Sequence, residues 1–312
     1  MSGAQVAVIG GSGFYQIEGF TEAEELRMET PFGPPSDAIV LGTLRQAQGG
    51  PLEGVRIAFL PRHGTGHRIL PSEVPSRANI WALKQLGVER VIALSAVGSL
   101  RKEIAPLHLV VPDQLIDRTR VRPSSFFGRG LVAHIAFDEP FCPVLSELLV
   151  GASRTAGARV HVGGTYVVIE GPAFSTKSES RLYRSWEADV IGMTALPEAK
   201  LAREAEICYA TLALVTDYDT WHGSKDLVSA ELILENLSRN VETAKRVVAG
   251  AVGALRAEAQ DEAPPATRDC ACGSALAEAL VTPPALVPEE TKRELAPIIG
   301  RYMPVEAVKY DG

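Results

Sequence analysis

With 46% hydrophobic and 22% charged residues, a chain of 312 residues can bury a large core, which excludes a mainly disordered protein. Its 31 Lys and Arg against 38 Asp and Glu leave a net charge of −7, which disfavours non-specific binding to nucleic acid or a membrane surface but not a basic pocket for a small anion. No apolar run reaches membrane-helix length, the first residues lack the positive stretch of a secretory signal, and four cysteines are too few for a disulfide scaffold, so a cytoplasmic setting is expected.

In chain order, residues 5–9 read as a buried strand opening into Gly10-Gly11-Ser12-Gly13. Backbone N–H groups of such a loop surround an anion and Ser12 adds a hydroxyl; the alternative is a plain turn. A dinucleotide fingerprint is excluded because Gln16 stands where its third glycine belongs. Strands follow at 39–41 and 55–60, the second leading into Pro61-Arg62-His63-Gly64-Thr65-Gly66-His67-Arg68. Guanidinium groups there suit a phosphate met in bidentate fashion, against the alternative of a solvated basic loop. A helix is predicted from about 71 to 87, carrying Val74, Ala78 and Trp81.

The strand at 91–94 runs into the small residues Ser95-Ala96-Val97-Gly98-Ser99, the kind of strand end where α/β sheets form ligand crevices. Strands at 109–111 and 166–169 bracket a helix at 143–156. Beyond 169 come Glu170, an acceptor for sugar hydroxyls, and Phe174, either a stacking ring or core. A short strand at 190–191 precedes Gly192-Met193-Thr194, and a helix at 196–206 precedes a strand at 210–215. That strand ends in Thr216-Asp217-Tyr218-Asp219. Two carboxylates at an apolar strand end are costly unless they meet a partner or hold a proton; the alternative is loop solvation. The longest helix, 227–255, places Ile233, Leu237, Val241, Ala244, Val248, Ala251 and Leu255 on one face.

Strands interleaved with helices indicate an α/β fold with a largely parallel or mixed sheet. A proline-rich linker at 262–267 suggests a main domain at 1–257 and a C-terminal extension with short helices at 258–312. Within the extension, Cys270-Ala271-Cys272 reads as a strained disulfide, as part of a soft-metal site needing outside ligands, or as two thiols without a role. Cys142 and Cys208 read as core thiols, so no convincing metal-ligand set is expected.

Several segments taken together resemble the purine nucleoside phosphorylase superfamily and, within it, the methylthioadenosine phosphorylases. They are Ile9-Gly10-Gly11-Ser12-Gly13, Thr30-Pro31-Phe32-Gly33, Arg62-His63-Gly64, Ala78-Asn79-Ile80-Trp81, Gly98-Ser99-Leu100, Glu139-Pro140-Phe141-Cys142-Pro143, Glu170-Gly171-Pro172, Pro197-Glu198 and Thr216-Asp217-Tyr218-Asp219. The match covers about residues 5–255. The resemblance implies one α/β domain around a mixed, partly closed sheet flanked by helices. It further implies a homotrimer with the active site near a subunit interface, and no cofactor or metal beyond inorganic phosphate as co-substrate.

The implied reaction is attack of phosphate on C1' of the nucleoside, releasing adenine and 5-methylthioribose 1-phosphate. By the same resemblance Ser12, Arg62, His63, Ser95, Ala96 and Thr194 surround phosphate, and Met193 faces the ribose. Phe174, Val97 and Gly98 line the base, while Asp217 and Asp219 address its N7 and 6-amino edge, one of them as the acid. His134 is lent to a neighbour's methylthio pocket, and Ala230 and Ile233 line that pocket. Ser12 and Ser95 stand where threonine is common, and Val97 where cysteine is frequent. Two carboxylates favour a 6-amino purine. The alternatives are a 6-oxopurine or methylthioinosine phosphorylase, or a nucleoside-binding protein without turnover.

Overall fold

Consecutive apolar residues at 6–9 divide strictly between two cores: Ala7 and Ile9 pack into one, Val6 and Val8 into the other. A strand sends alternate side chains to opposite faces, so an unbroken apolar run marks a strand buried on both. The same division holds at 57–60, 91–94 and 208–215. The computed structural model describes residues 4–11, 20–44, 55–222, 230–260 and 270–304.

Within them one mixed sheet of eleven strands runs in the order β2 (Phe20–Leu26), β3 (Ile39–Leu44), β4 (Val55–Pro61), β1 (Val6–Gly10), β5 (Arg90–Ser99), β10 (Val190–Gly192), β9 (Thr165–Ile169) and β7 (Gln114–Arg118). It branches at β5, which also pairs in parallel with β11 (Cys208–Tyr218); β6 (Leu109–Val111) joins β11 to β8 (Val160–Val162). Helices cover both faces, as the family resemblance implies. The helices α2 (Pro143–Thr155) and α5 (Ala230–Gln260) pack on the Val6 side, and α1 (Ser76–Gln85) and α4 (Glu198–Glu204) on the Ala7 side.

The strands β2, β7 and β8 carry no clear signal in the sequence: they are short or polar edge strands, and pairing with a neighbour decides them. Also unforeseen is α3 (Lys177–Ser185), although its start is legible. The Thr176 hydroxyl accepts from the Glu179 N–H while the Glu179 carboxylate accepts from the Thr176 N–H, a capping box.

The chain from 270 to 304 folds into short turns with α6 (Glu289–Glu294) and α7 (Ala296–Ile299). It does not stand apart. Leu276, Leu295, Ile298, Ile299 and Met303 are buried in the same cluster as Ile80 and Leu83 of α1 and Ala202 of α4. Trp81 Nε1 donates to the Glu294 carbonyl at 2.8 Å. Among the described residues no helix is long and apolar enough to cross a membrane.

Candidate active site

The carboxyl ends of β1, β4, β5, β9 and β11 open on a single crevice, the usual ligand position of an α/β sheet. A cavity of about 480 Å³ lies there. It is lined by Arg62, His63, Ala96, Val97, Gly98, Phe174, Met193, Thr194, Asp217 and Asp219, ten residues expected from the sequence and spread over 158 positions. Ser95 lies directly behind, where its Oγ accepts from the Thr194 hydroxyl at 2.9 Å. Ser12 lies outside the described residues, though Gly11 before it lines the cavity. Ala230 and Ile233 fall on the first turn of α5, and their side chains are likewise outside the described residues. The described residues that α5 contributes to the cavity are Leu234, Leu237 and Val241. His134 is exposed and does not reach the cavity of its own chain.

The aspartates owe their placement to an irregularity in β11. Its register against β5 slips between Val215 and Asp217, so that Val215 opposes Val97 and Asp217 opposes Gly98. Such a bulge turns successive side chains toward one face, and here Thr216 joins Asp217 and Asp219 on the cavity wall. The carbonyls of the bulge are not left bare: Asn236 and Asn240 of α5 donate to Thr216 O at 2.7 Å and Val215 O at 2.9 Å. Gly98 makes the room. A Cβ there would sit 3.2 Å from Asp217 Oδ2 and 3.4 Å from Asp219 Cβ.

Burial pushes the Asp217 carboxyl up to about 6; a hydrogen bond from Thr216 Oγ1 at 2.7 Å opposes this and the charge of Asp219 adds to it. Burial raises Asp219 as well. Its Oδ2 is buried with no hydrogen-bond partner among the described residues. An orphaned buried acceptor costs free energy that a ligand donor would recover.

The basic side of the cavity differs from expectation in one respect. Arg62 is 3% exposed and aims the Nε–Nη2 edge of its fork at Glu198, at 2.5 and 2.9 Å, while Nη1 donates to Leu94 O at 2.7 Å. Three of the five N–H groups are thus engaged, leaving about one on each terminal nitrogen for an anion. Burial opposes the charge of Arg62, but the adjacent Glu198 carboxylate outweighs it and holds the guanidinium protonated. His63 Nδ1 lies 2.9 Å from Ile69 O, and a carbonyl only accepts, so Nδ1 carries the proton and Nε2 is free. Burial first and Arg62 second lower His63 to about 4, which leaves it neutral.

Glu170 does not do what its position in the sequence suggested. It lies outside the cavity lining, and its carboxylate is engaged by Arg122 Nε at 2.8 Å and by the N–H groups of Arg120 and Val121. Arg122 in turn donates to Met193 O at 2.6 Å and Leu196 O at 2.7 Å, fixing the loop that carries Met193 and Thr194. Arg122, Asn236 and Asn240 are supporting residues that sequence reasoning missed, while Glu198 entered only through the Pro197-Glu198 segment of the resemblance, without a role.

The arrangement joins a basic corner to two carboxyls whose proton affinity burial raises, inside one largely apolar cavity, which suits displacement at a glycosidic carbon by an anion with protonation of the leaving group. Known proteins agree with that chemistry. The phosphorylase superfamily model matches residues 5–253. An S-methyl-5'-thioadenosine phosphorylase of Gloeobacter violaceus is 56% identical over 96% of both chains, and one of Geobacter sulfurreducens is 53% identical over 96% of this chain and 99% of its own. Among solved structures, a methylthioadenosine phosphorylase from an antarctic soil metagenomic library superposes with a TM-score of 0.87 at 48% identity, covering 96% of this chain and 99% of that one. The Schistosoma mansoni methylthioadenosine phosphorylase in complex with adenine gives 0.75 at 36% identity, over 82% and 93%. The chain belongs to the phosphorylase superfamily, in the branch it shares with these S-methyl-5'-thioadenosine phosphorylases.

Proposed function

We propose that this protein cleaves 5'-methylthioadenosine by phosphorolysis, giving adenine and 5-methylthioribose 1-phosphate, a pentosyl transfer that serves purine and methionine salvage. The observation that carries the reading is the aspartate pair: Asp217, held near 6, beside the unpartnered Asp219 Oδ2. Such a pair can protonate N7 of a departing purine and accept from a 6-amino group. A 6-oxo purine offers an acceptor there and would leave the carboxylates unmatched.

Breaking the N-glycosidic bond builds positive charge on the sugar and negative charge on the base. Arg62, with backbone N–H groups and the Thr194 and Ser95 hydroxyls, positions phosphate beneath C1', so that the anion stabilises the developing cation. Neutral His63 offers Nε2 as an acceptor for a phosphate hydroxyl, or takes up a proton as the dianion arrives. Met193 faces the ribose, Phe174, Val97 and Gly98 hold the base, and Asp217 or Asp219 supplies the proton. No metal takes part in this chemistry.

The remaining elements of the reading concern assembly. A homotrimer, in which the exposed His134 enters the methylthio pocket of a neighbour beside Ala230 and Ile233, accounts for a histidine standing outside its own cavity. A cytoplasmic setting fits a salvage enzyme.

The test is release of free base from 5'-methylthioadenosine, adenosine, methylthioinosine and inosine with and without phosphate. Adenine released mainly from methylthioadenosine, and only with phosphate, is the expected result. Preference for the inosine compounds would overturn the base assignment. Binding without release would overturn the reaction.

A further inference from the structure

The four cysteines of the chain come from three distant segments, and the fold brings them to one point. Cys142 occupies the N-cap position of α2, Cys208 opens β11, and Cys270 and Cys272 lie just before and within the short turn at 271–274. The Cys142 N–H donates to Tyr209 O at 2.8 Å, which ties the first two segments together. All four Sγ atoms lie within 4.8 Å of one another, and those of Cys208 and Cys270 are 3.6 Å apart. All but Cys270 are buried, and none lines the nucleoside cavity.

A buried cysteine by itself behaves as a small apolar side chain. Four sulfurs facing inward are a different object. Around a tetrahedral zinc ion with Zn–S bonds of about 2.3 Å, the sulfurs stand about 3.8 Å apart, within the span seen here. The cluster contains no carboxylate or imidazole, and an all-sulfur donor set selects a soft ion over magnesium, calcium or manganese. The surroundings suit the two negative charges that Zn²⁺ with four thiolates carries. Cys142 holds the N-cap position of α2, which sets the positive end of that helix beside the cluster.

We propose that Cys142, Cys208, Cys270 and Cys272 bind one Zn²⁺ as a closed tetrathiolate site that fastens the segment from 270 onward to the phosphorylase core. Binding exchanges the thiol protons for the metal and changes no oxidation state. With four protein ligands the ion has no open position, so its role is structural and separate from phosphorolysis. The sequence conceals the site because its halves lie far apart, and each pair taken alone is too small a ligand set.

The experiment uses the full chain, purified without chelator, one portion with reductant and one without. Metal content is measured by mass spectrometry, and thiols are titrated in denaturant with and without prior reduction. About one zinc per chain is expected, released as an organomercurial titrates four thiols. Replacing zinc with Co²⁺ should give the thiolate-to-metal charge-transfer and visible d–d bands of a tetrahedral sulfur site. Cys270→Ser and Cys272→Ser, checked for folding by circular dichroism, should each retain about tenfold less zinc. Two results would overturn the proposal. One is reduced wild-type protein that takes up neither Zn²⁺ nor Co²⁺, or zinc content unchanged in both serine variants. The other is a chain with no titratable thiol before reduction, which would mean that the cluster holds disulfides.

Discussion

Asp217→Asn tests the centre of the proposed reaction with little change of shape. The carboxamide oxygen can still accept from Thr216 Oγ1, the 2.7 Å partner of the native carboxylate, but the ionisable proton is gone. A positioned general acid contributes about 10²–10⁴ in rate, so turnover of methylthioadenosine should fall by that factor, about 3–5 kcal/mol of barrier. The pH dependence sharpens the test. With Asp217 held near 6, half of the carboxyl is protonated at pH 6 and about one part in a hundred at pH 8, so the acid's contribution should fall about 50-fold over that interval. Phosphate also titrates there, but identically for both enzymes. The ratio of wild-type to variant kcat/KM for the nucleoside, at saturating phosphate, therefore isolates Asp217. It should be largest at pH 6 and decline by about 50-fold toward pH 8, while KM for phosphate changes by less than about twofold. A ratio that stays flat from pH 6 to 8, or a phosphate KM that rises as steeply as kcat falls, would refute the assignment of Asp217 to the leaving base.

Other substitutions probe the support of the site. Glu198→Gln leaves the buried Arg62 charge without its charged partner and should cost about 3–5 kcal/mol, seen as a drop of about 5–8 °C in thermal midpoint, with a raised KM for phosphate. An unchanged midpoint would mean that Arg62 is held by other contacts. Gly171→Ala meets two obstacles, a φ of +70° and a Cβ that would overlap the Met193 sulfur, so it should raise KM for the nucleoside and lower stability by about 1–2 kcal/mol in denaturant titrations. His63 is neutral when the site is free. Phosphate binding measured by calorimetry in buffers of different ionisation enthalpy should therefore show a proton-uptake component near pH 6.5 that His63→Gln removes.

The sequence exposes residues whose environment is local. Arg62, His63, Asp217 and Asp219 stand at the ends of apolar strands, which left a crevice or a solvated loop open until the family resemblance favoured the crevice. Residues whose role depends on a distant partner stay hidden. Nothing at 122 indicates that its guanidinium will bind the carbonyls of Met193 and Leu196, and nothing at 236 or 240 indicates a bulge in the strand before them. Glu170 misled for the same reason, because the partner that engages it lies 48 positions away. Among elements, the strands buried on both faces were legible from their unbroken apolar runs. The edge strands β2, β7 and β8 were not, since partners rather than composition make them strands.

The way the segment 276–303 completes the core bears on how the chain is made. Leu276, Leu295, Ile298 and Ile299 close the face of the sheet that α1 and α4 leave partly open, yet they are synthesised after every strand. Until they arrive, the nascent polypeptide presents Ile80, Leu83 and their neighbours to solvent or to whatever chaperone is at hand. The nucleoside cavity, whose described lining ends at Val241, thus waits for its frame. Maturation of this enzyme should be a late event in translation, and fragments ending near residue 260 should be captured as chaperone clients rather than as small active phosphorylases.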